Sequence, residues 1–145
     1  IDFSKTKSFK NSEDLMIGNI IQYKKGHLAR VEELNDAGLV SVVGVESNYI
    51  NGRYDINNFY GVALSHEILT DVLGFKKYNT LDYLSMDIFE LSPKSLIRKI
   101  KIDFCKKNRY YSLDGFGRIE YLHQLQNYVR IIFKENLKIN FKIND

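Results

Sequence analysis

The sequence predicts an α+β protein with an N-terminal small SH3-like β-barrel, a short helix, an antiparallel β-meander and a C-terminal amphipathic helix with a final strand. Three observations support this prediction. Tyr and Phe are abundant, at 10 and 9 of 145 residues, and both favour pleated strands. Short segments of alternating polarity are separated by turn residues. Two other segments repeat their apolar residues every three or four positions, as amphipathic helices do.

The length predicts one domain preceded by a short arm. Residues 1–14 are polar and form the predicted N-terminal arm. Residues 15–145 are expected to fold as a single α+β domain. Within it, residues 15–60 form the barrel part, and residues 61–145 form the helix, the meander and the C-terminal helix.

The barrel prediction depends on short strands at close spacing. Alternating or β-branched residues predict strands at 17–23, 27–34 and 39–45. The last is nearly continuous in apolar residues and is expected to be buried on both faces. Asn51-Gly52, between Tyr49-Ile50 and Arg53-Tyr54, predicts a type I′ hairpin turn.

The second half of the chain begins with a short helix. Ser65 is a favourable N-cap, and Gly74 follows the last helical residue. Apolar periodicity then predicts a long helix over residues 118–134. The remaining predictions are extended or turn segments at 83–91, 92–95, 100–104, 106–109, 110–113 and 137–143.

The composition indicates the cellular compartment of the protein more clearly than it indicates a chemical activity. The single cysteine, Cys105, cannot form an internal disulfide, so a reducing cytoplasm is the expected compartment. No apolar run approaches the ~20 residues of a membrane span, and residues 1–5 lack the apolar stretch of a signal peptide. The net charge of +3 is a weak indication of an anionic partner.

No residue pattern predicts a catalytic, cofactor or metal site. His27, His66 and His123 are far apart, and a zinc site needs three or four converging ligands. His123 lies beside an apolar stripe, which favours a hydrogen-bonded residue at the edge of the core. Cys105 ends a predicted strand, where a packed small residue is expected. We therefore predict that the protein is not an enzyme.

One basic segment remains as a candidate binding surface. Between residues 94 and 109 a single acid, Asp103, stands among seven basic residues, and tyrosines follow directly. A basic hairpin beside aromatic rings suits a single-stranded nucleic acid with stacked bases. The alternative is a solvated sheet face whose lysines prevent edge-to-edge pairing. The predicted partner or RNA-binding residues are Lys94, Arg98, Lys99, Lys101, Lys106, Lys107, Arg109 and Tyr110.

Three segments carry a resemblance to a family of small proteins encoded by bacterial phages and mobile elements. They are Leu15-Met16-Ile17-Gly18-Asn19, Leu64-Ser65-His66-Glu67-Ile68-Leu69, and the most specific, Leu122-His123-Gln124-Leu125-Gln126-Asn127. Their order and spacing cover most of residues 15–141. The chain departs from the family in having no Trp in its middle strand region. The family has no agreed activity, so the resemblance assigns no functional residue.

The resemblance implies a context, and the context implies a function. Small non-enzymatic proteins of such elements often block host defence. We expect an inhibitor of a bacterial defence system, most simply an anti-CRISPR protein that binds an RNA-guided, type VI-like nuclease or its guide RNA. This rests on analogy of fold and context. The open alternatives are a nucleic-acid-binding accessory module of the element's own replication or regulation, and a virion-associated structural component.

Overall fold

The computed structural model describes residues 8–24, 26–46, 50–79, 86–92, 99–113 and 116–141. Contacts group the chain into two compact units. The first is built mainly from Ile1–Ala63 and Tyr121–Leu137, and the second from Leu64–Glu120 and Lys138–Ile143. The described residues are mostly β, with two five-stranded antiparallel sheets and one α-helix.

The first unit contains a sheet with the strand order β4-β3-β2-β1-β5. Its strands are β1 (Ile20–Tyr23), β2 (His27–Leu34), β3 (Leu39–Gly44), β4 (Gly52–Asp55) and β5 (Phe59–Gly61). Val40 and Val42 are buried, whereas Ser41 and Val43 are half-exposed. The expectation that this strand is buried on both faces is therefore wrong: it alternates, as a strand with one solvated face does.

The described strands do not close into the predicted SH3-like barrel. β4 and β5 stand at opposite ends of the strand order. On the side of β5 away from β1, Ser8 forms a bridge with Tyr60, and the Phe9 N–H donates to the Phe59 carbonyl at 2.9 Å. The N-terminal segment thus takes the position that β4 would need in a closed barrel.

The predicted type I′ turn at Asn51-Gly52 is wrong as well. In the structure Gly52 pairs with Val42 and Arg53 with Ser41, so β4 returns along β3. The Asn51 side-chain oxygen accepts a hydrogen bond from the Gly44 N–H at 2.7 Å. Asn51 therefore closes a longer connection between β3 and β4 by bonding to the end of β3.

The helix α1 (Leu122–Phe133) begins later than the sequence predicts. The start of the predicted range, from Arg118, is part of a strand, and Tyr121 is the N-cap. The Gln124 side chain accepts a hydrogen bond from the Tyr121 N–H at 3.0 Å, which satisfies one of the orphan donors at the helix start. The predicted apolar stripe of α1 is confirmed at Leu122, Leu125 and Val129, which are buried, but not at Ile132, which is 40% exposed.

Polar side chains of α1 bind the loop that precedes β1. Gln126 accepts a hydrogen bond from the Ile20 N–H at 2.8 Å and donates one to the Gly18 carbonyl at 3.1 Å. Asn127 accepts from the Asn19 amide at 2.7 Å and donates to the Asp14 carbonyl at 2.9 Å. Three of these four bonds satisfy backbone groups, which belong to Asp14 and Gly18 in the loop and to Ile20 at the start of β1.

The second unit begins with a short helical turn where the sequence predicts one. The Ser65 hydroxyl accepts a hydrogen bond from the Ile68 N–H at 3.1 Å, as an N-cap does. The turn Ile68–Val72 is π-helical rather than α-helical, since the Leu73 N–H reaches the Ile68 carbonyl at 3.0 Å. Gly74 ends it with a φ of +79°, which favours glycine.

The predicted β-meander is confirmed as an antiparallel sheet in which each strand pairs with the next along the chain. Its strands are β6 (Lys76–Asn79), β7 (Met86–Leu91), β8 (Ile100–Cys105), β9 (Tyr110–Leu113) and β10 (Gly117–Ile119). The sequence did not indicate β6. The predicted turn at 92–95 and the start of the predicted segment 83–91 lie largely outside the described residues.

The predicted final strand over 137–143 is wrong for its described part. Residues 135–141 form no strand and follow α1 as irregular backbone. The Asn140 N–H donates to the Val72 carbonyl at 3.1 Å, so this segment attaches to the π-helical turn by a single backbone bond. No helix in the described ranges combines the length and apolarity needed to cross a bilayer.

The Gln126 side chain gives the first prediction. Gln126→Ala leaves the Ile20 N–H and the Gly18 carbonyl without partners, and should lower the free energy of unfolding by about 1–3 kcal/mol. Gln124→Ala is the matched control on the same helix. It removes an exposed cap bond and should cost less than about 1 kcal/mol. Urea denaturation measures both, and equal losses would contradict this role of Gln126.

His123 gives the second prediction. The expectation of a hydrogen-bonded histidine at the core edge is wrong: the residue is 2% exposed, and its Nδ1 has no hydrogen-bond partner among the described residues. Its ring packs against Phe9 and stacks on Tyr121. Burial lowers the pKa of His123 to about 4, although the Asp14 charge acts in the opposite direction.

A base whose pKa is lowered by folding stabilises the fold fully above its unfolded pKa, near 6.5. This contribution is lost as the pH falls from about 6.5 to about 4, by up to about 3 kcal/mol. His123→Phe keeps an aromatic ring in the same place and should flatten the dependence in that window. The control, His27→Gln, changes an exposed histidine. An unchanged slope in His123→Phe, from urea denaturation at a series of pH values, would refute the assignment.

Candidate functional site

The predicted basic surface falls mainly on the β8–β9 hairpin. Lys94 and Arg98 lie outside the described residues. Lys99 precedes β8, Lys101 lies within it, and Tyr110 opens β9. The other predicted residues, Lys106, Lys107 and Arg109, lie in the connecting loop.

The loop of this hairpin has a defined backbone. Cys105 pairs with Tyr110 at its base, and the Arg109 N–H donates to the Cys105 carbonyl at 2.7 Å. Arg109 has a φ of +56°, a left-handed conformation that is uncommon for a residue other than Gly, Asn or Asp. The predicted turn over 106–109 is therefore confirmed, with Arg109 at its tightest position.

Three of the predicted lysines are paired with acids. Lys99 lies 3.5 Å from the Glu90 carboxylate, and Lys101 lies 3.9 Å from that of Asp103. These two pairs are partly exposed and stabilise the fold little. Lys106 lies 3.5 Å from Asp87, whose side chain is only 7% exposed. Lys106 is thus bound to the core of the second unit.

Asp87 is the centre of a buried polar cluster in the second unit. His66 Nε2 lies 3.1 Å from one carboxylate oxygen, and Lys77 lies 3.7 Å from the same oxygen. Lys106 lies next to the other oxygen. The Tyr111 hydroxyl is 2.6 Å from His66 Nδ1. The cluster joins the π-helical turn to β6, β7, β9 and the hairpin loop.

The surroundings within the cluster shift the pKa of two of its members, Asp87 and Tyr111. Burial by itself would raise the pKa of the Asp87 carboxyl, but the His66 hydrogen bond and the charges of Lys77 and Lys106 outweigh it and lower that pKa below its usual value. Burial, with the Asp87 charge adding to it, raises the pKa of Tyr111 to about 12. The phenol therefore keeps its proton at neutral pH.

The hydrogen bonds of this cluster fix the orientation and the tautomer of the His66 ring. A protonated Tyr111 donates to His66 Nδ1, which assigns the ring proton to Nε2 and directs it to Asp87. Both ring nitrogens are thereby engaged. The ring edges of His66 also contact Phe89 and Phe104, with centroids 4.8 and 4.6 Å apart. The cluster fixes the imidazole between two aromatic rings and holds five segments of the second unit together.

Sequence reasoning missed this cluster. Asp87 was not among the predicted site residues, yet it is only 5% exposed. A signal was present in the alternation of β7: Phe89 is buried, and Asp87 stands two positions before it on the same face. His66 could not be connected to Asp87 from sequence, because the two lie on different elements.

Two predicted cations remain on the open surface. Lys107 and Arg109 are exposed, and within the described ranges no carboxylate forms an ion pair with either. Tyr110 is half-exposed, and the Arg118 guanidinium lies over its ring, 4.8 Å from the centroid. The available part of the predicted surface is therefore the hairpin tip and the adjacent Tyr110–Arg118 pair.

The described residues contain no group of three or more His, Cys, Asp or Glu side chains that could hold a metal ion. Comparison of the chain with models of protein families, with curated proteins and with solved structures gives no match. The resemblance of the three motifs to phage and mobile-element proteins therefore stays a prediction.

The Asp87 cluster gives the third prediction. Asp87→Asn removes the charge that His66, Lys77 and Lys106 share, and should lower the free energy of unfolding at pH 7 by about 1–3 kcal/mol. Asp103→Asn, on the opposite face of the same sheet, is the matched control and should cost less, since Asp103 is half-exposed.

The pH dependence tests the same assignment. An acid whose pKa is lowered by folding contributes stability above its unfolded pKa, near 3.9, and loses it as the pH falls through the folded value. The gap in stability between the native chain and Asp87→Asn should thus be constant near neutrality and shrink below about pH 4. Thermal denaturation followed by circular dichroism at a series of pH values measures it. A gap independent of pH down to pH 2 would contradict a charged Asp87.

Proposed function

We propose that the protein is a non-enzymatic inhibitor, encoded by a phage or mobile element, that acts against a bacterial defence system in the cytoplasm of the host. The most specific form of the proposal is an anti-CRISPR protein that binds an RNA-guided, type VI-like nuclease or its guide RNA. The context comes from the family resemblance of the three motifs. The mode of action, binding rather than catalysis, comes from the surface of the second unit.

The observation that carries the proposal is the pair of exposed cations at the tip of the β8–β9 hairpin. Lys107 and Arg109 have no carboxylate partner among the described residues. The neighbouring Lys106, by contrast, forms an ion pair with Asp87. The backbone of this tip is ordered and its charges are unpaired. An anionic partner can therefore bind there without breaking an internal ion pair. Phosphate groups of RNA are such a partner, and their neutralisation releases counterions.

The Asp87 cluster supports binding in a second way. It fixes Lys106 and thereby the start of the loop that presents Lys107 and Arg109. A surface that is ordered before binding loses less conformational entropy when the partner arrives. Asp87 and His66 would then serve the function as positioning residues without contacting the partner.

The alternative function is a nucleic-acid-binding accessory module that serves the element's own replication or regulation. The Arg118–Tyr110 pair favours it, because stacked guanidinium and aromatic groups are common in single-strand binding surfaces. The two functions differ in what they require. An accessory module must bind nucleic acid alone, whereas an inhibitor must bind or disable the host ribonucleoprotein.

The tip cations give the fourth prediction. The variant Lys107→Glu/Arg109→Asn removes both positive charges, and Asn tolerates the left-handed backbone at position 109, so the fold should be kept. It should raise the concentration needed to inhibit RNA cleavage by about tenfold or more, and lower the salt dependence of binding by about one unit of log–log slope per lost phosphate contact.

The control variant changes the net charge of the chain by the same amount, but at residues outside the hairpin. Lys10→Glu/Lys138→Gln alters two exposed lysines remote in sequence from the hairpin and should inhibit as the native chain does. Affinity purification from a host with active defence systems, with proteins and RNAs both identified, names the partner. Full inhibition by the tip variant, with an unchanged melting temperature, would refute the proposed surface.

A further inference from the structure

The second sheet has one buried face and one open face. Asp87, Phe89, Ile102 and Tyr111 are buried on the inner face. The residues that alternate with them along β7, β8 and β9 are half-exposed. The open face consists of Lys76, Tyr78, Met86, Ile88, Glu90, Lys101, Asp103, Cys105, Tyr110, Ser112 and Arg118.

Two tyrosines stand on this open face. Tyr78 is 46% exposed and lies on the edge strand β6, opposite Ile88. Tyr110 lies on β9, and its ring is already covered on one side by the Arg118 guanidinium. Three strand spacings of about 4.8 Å separate β6 from β9, so the two rings are roughly 15 Å apart across the sheet. That separation leaves room for further bases of one strand between them.

The charges on the open face favour an anionic occupant. Lys76 and Arg118 have no carboxylate partner among the described residues, and Lys101 faces Asp103 at a long 3.9 Å. The Glu90 carboxylate already forms an ion pair with Lys99. The unpaired cations lie at opposite edges of the sheet, Lys76 on β6 and Arg118 on β10. A chain of phosphates that crosses the strands can meet both.

We propose that this open face binds single-stranded RNA, with Tyr78 and Tyr110 stacking on bases and Lys76 and Arg118 contacting phosphates. The inference rests on the proposed function and deepens it: it assigns RNA, rather than protein, as the component that the second unit contacts. Lys107 and Arg109 continue the same path beyond the end of β8. The occupant is single-stranded because bases stack on exposed rings only when they are not paired in a duplex.

The test uses the full chain and a labelled single-stranded oligouridylate of about 12 nucleotides, a length within the range of known single-strand sites. Fluorescence anisotropy at low salt should detect binding, and a duplex RNA of equal length should bind more weakly. Tyr78→Leu and Tyr110→Leu keep apolar side chains on the strands and should each weaken binding about 5- to 150-fold. Tyr60→Leu, a half-exposed tyrosine of the first sheet, is the control and should leave it unchanged.

Photo-crosslinking localises the contact independently of stability. Ultraviolet irradiation of the complex should attach uridine to the peptides that contain Tyr78 and Tyr110. Two results would overturn the inference: no binding of the single strand at low salt, or binding that is indifferent to both tyrosines. If inhibition is lost in the tip variant but kept in Tyr78→Leu/Tyr110→Leu, the hairpin proposal stands and the RNA face is rejected. If RNA binds through the tyrosines without inhibition of any defence nuclease, the RNA face stands and the inhibitor proposal fails.

Discussion

The first unit depends on side-chain amides of α1 that act as substitutes for a neighbouring strand. Gln126 binds the Gly18 carbonyl in the loop before β1 and the N–H of Ile20, the first residue of β1. A primary amide carries one carbonyl and one N–H2, so it offers the same hydrogen-bonding groups as a peptide. Asn127, on the next position of α1, repeats the arrangement through Asn19. The loop and the helix are therefore ordered together.

This constraint explains why α1 carries the polar residues Gln126 and Asn127 beside its apolar stripe. The string Gln126-Asn127 and the segment Gly18-Asn19 are 108 residues apart in sequence and bonded to each other. Gly18 is required for a further reason: its φ is +93°, and a Cβ atom there would lie 2.7 Å from the Arg130 guanidinium. The two motifs thus form one structural device rather than a reactive group.

The sequence predicted the elements whose pattern is local and missed the features that depend on distant partners. The alternation in β8 and the apolar stripe of α1 follow from side-chain direction alone. The open first sheet could not be predicted, because it depends on Ser8 and Phe9 occupying one side of β5. The same holds for Asp87, whose partner His66 comes from a separate element. Of the predicted site, the hairpin and its tip cations were predictable, but the pairing of the lysines was not.

The pairing of the lysines changes how the charge of the chain is understood. Seven basic residues between 94 and 109 suggest a broad positive surface, but Lys106 is held by a buried acid and Lys99 and Lys101 by exposed ones. A paired lysine contributes little to the long-range field, since its partner cancels most of its charge within a Debye length. Among the described residues of the second sheet and its hairpin, the exposed cations without a carboxylate partner are Lys107 and Arg109 at the tip and Lys76 and Arg118 at opposite edges of the sheet. Single charges at such separated points suit the successive phosphates of one extended strand better than a duplex, because the duplex spreads its charge over two backbones.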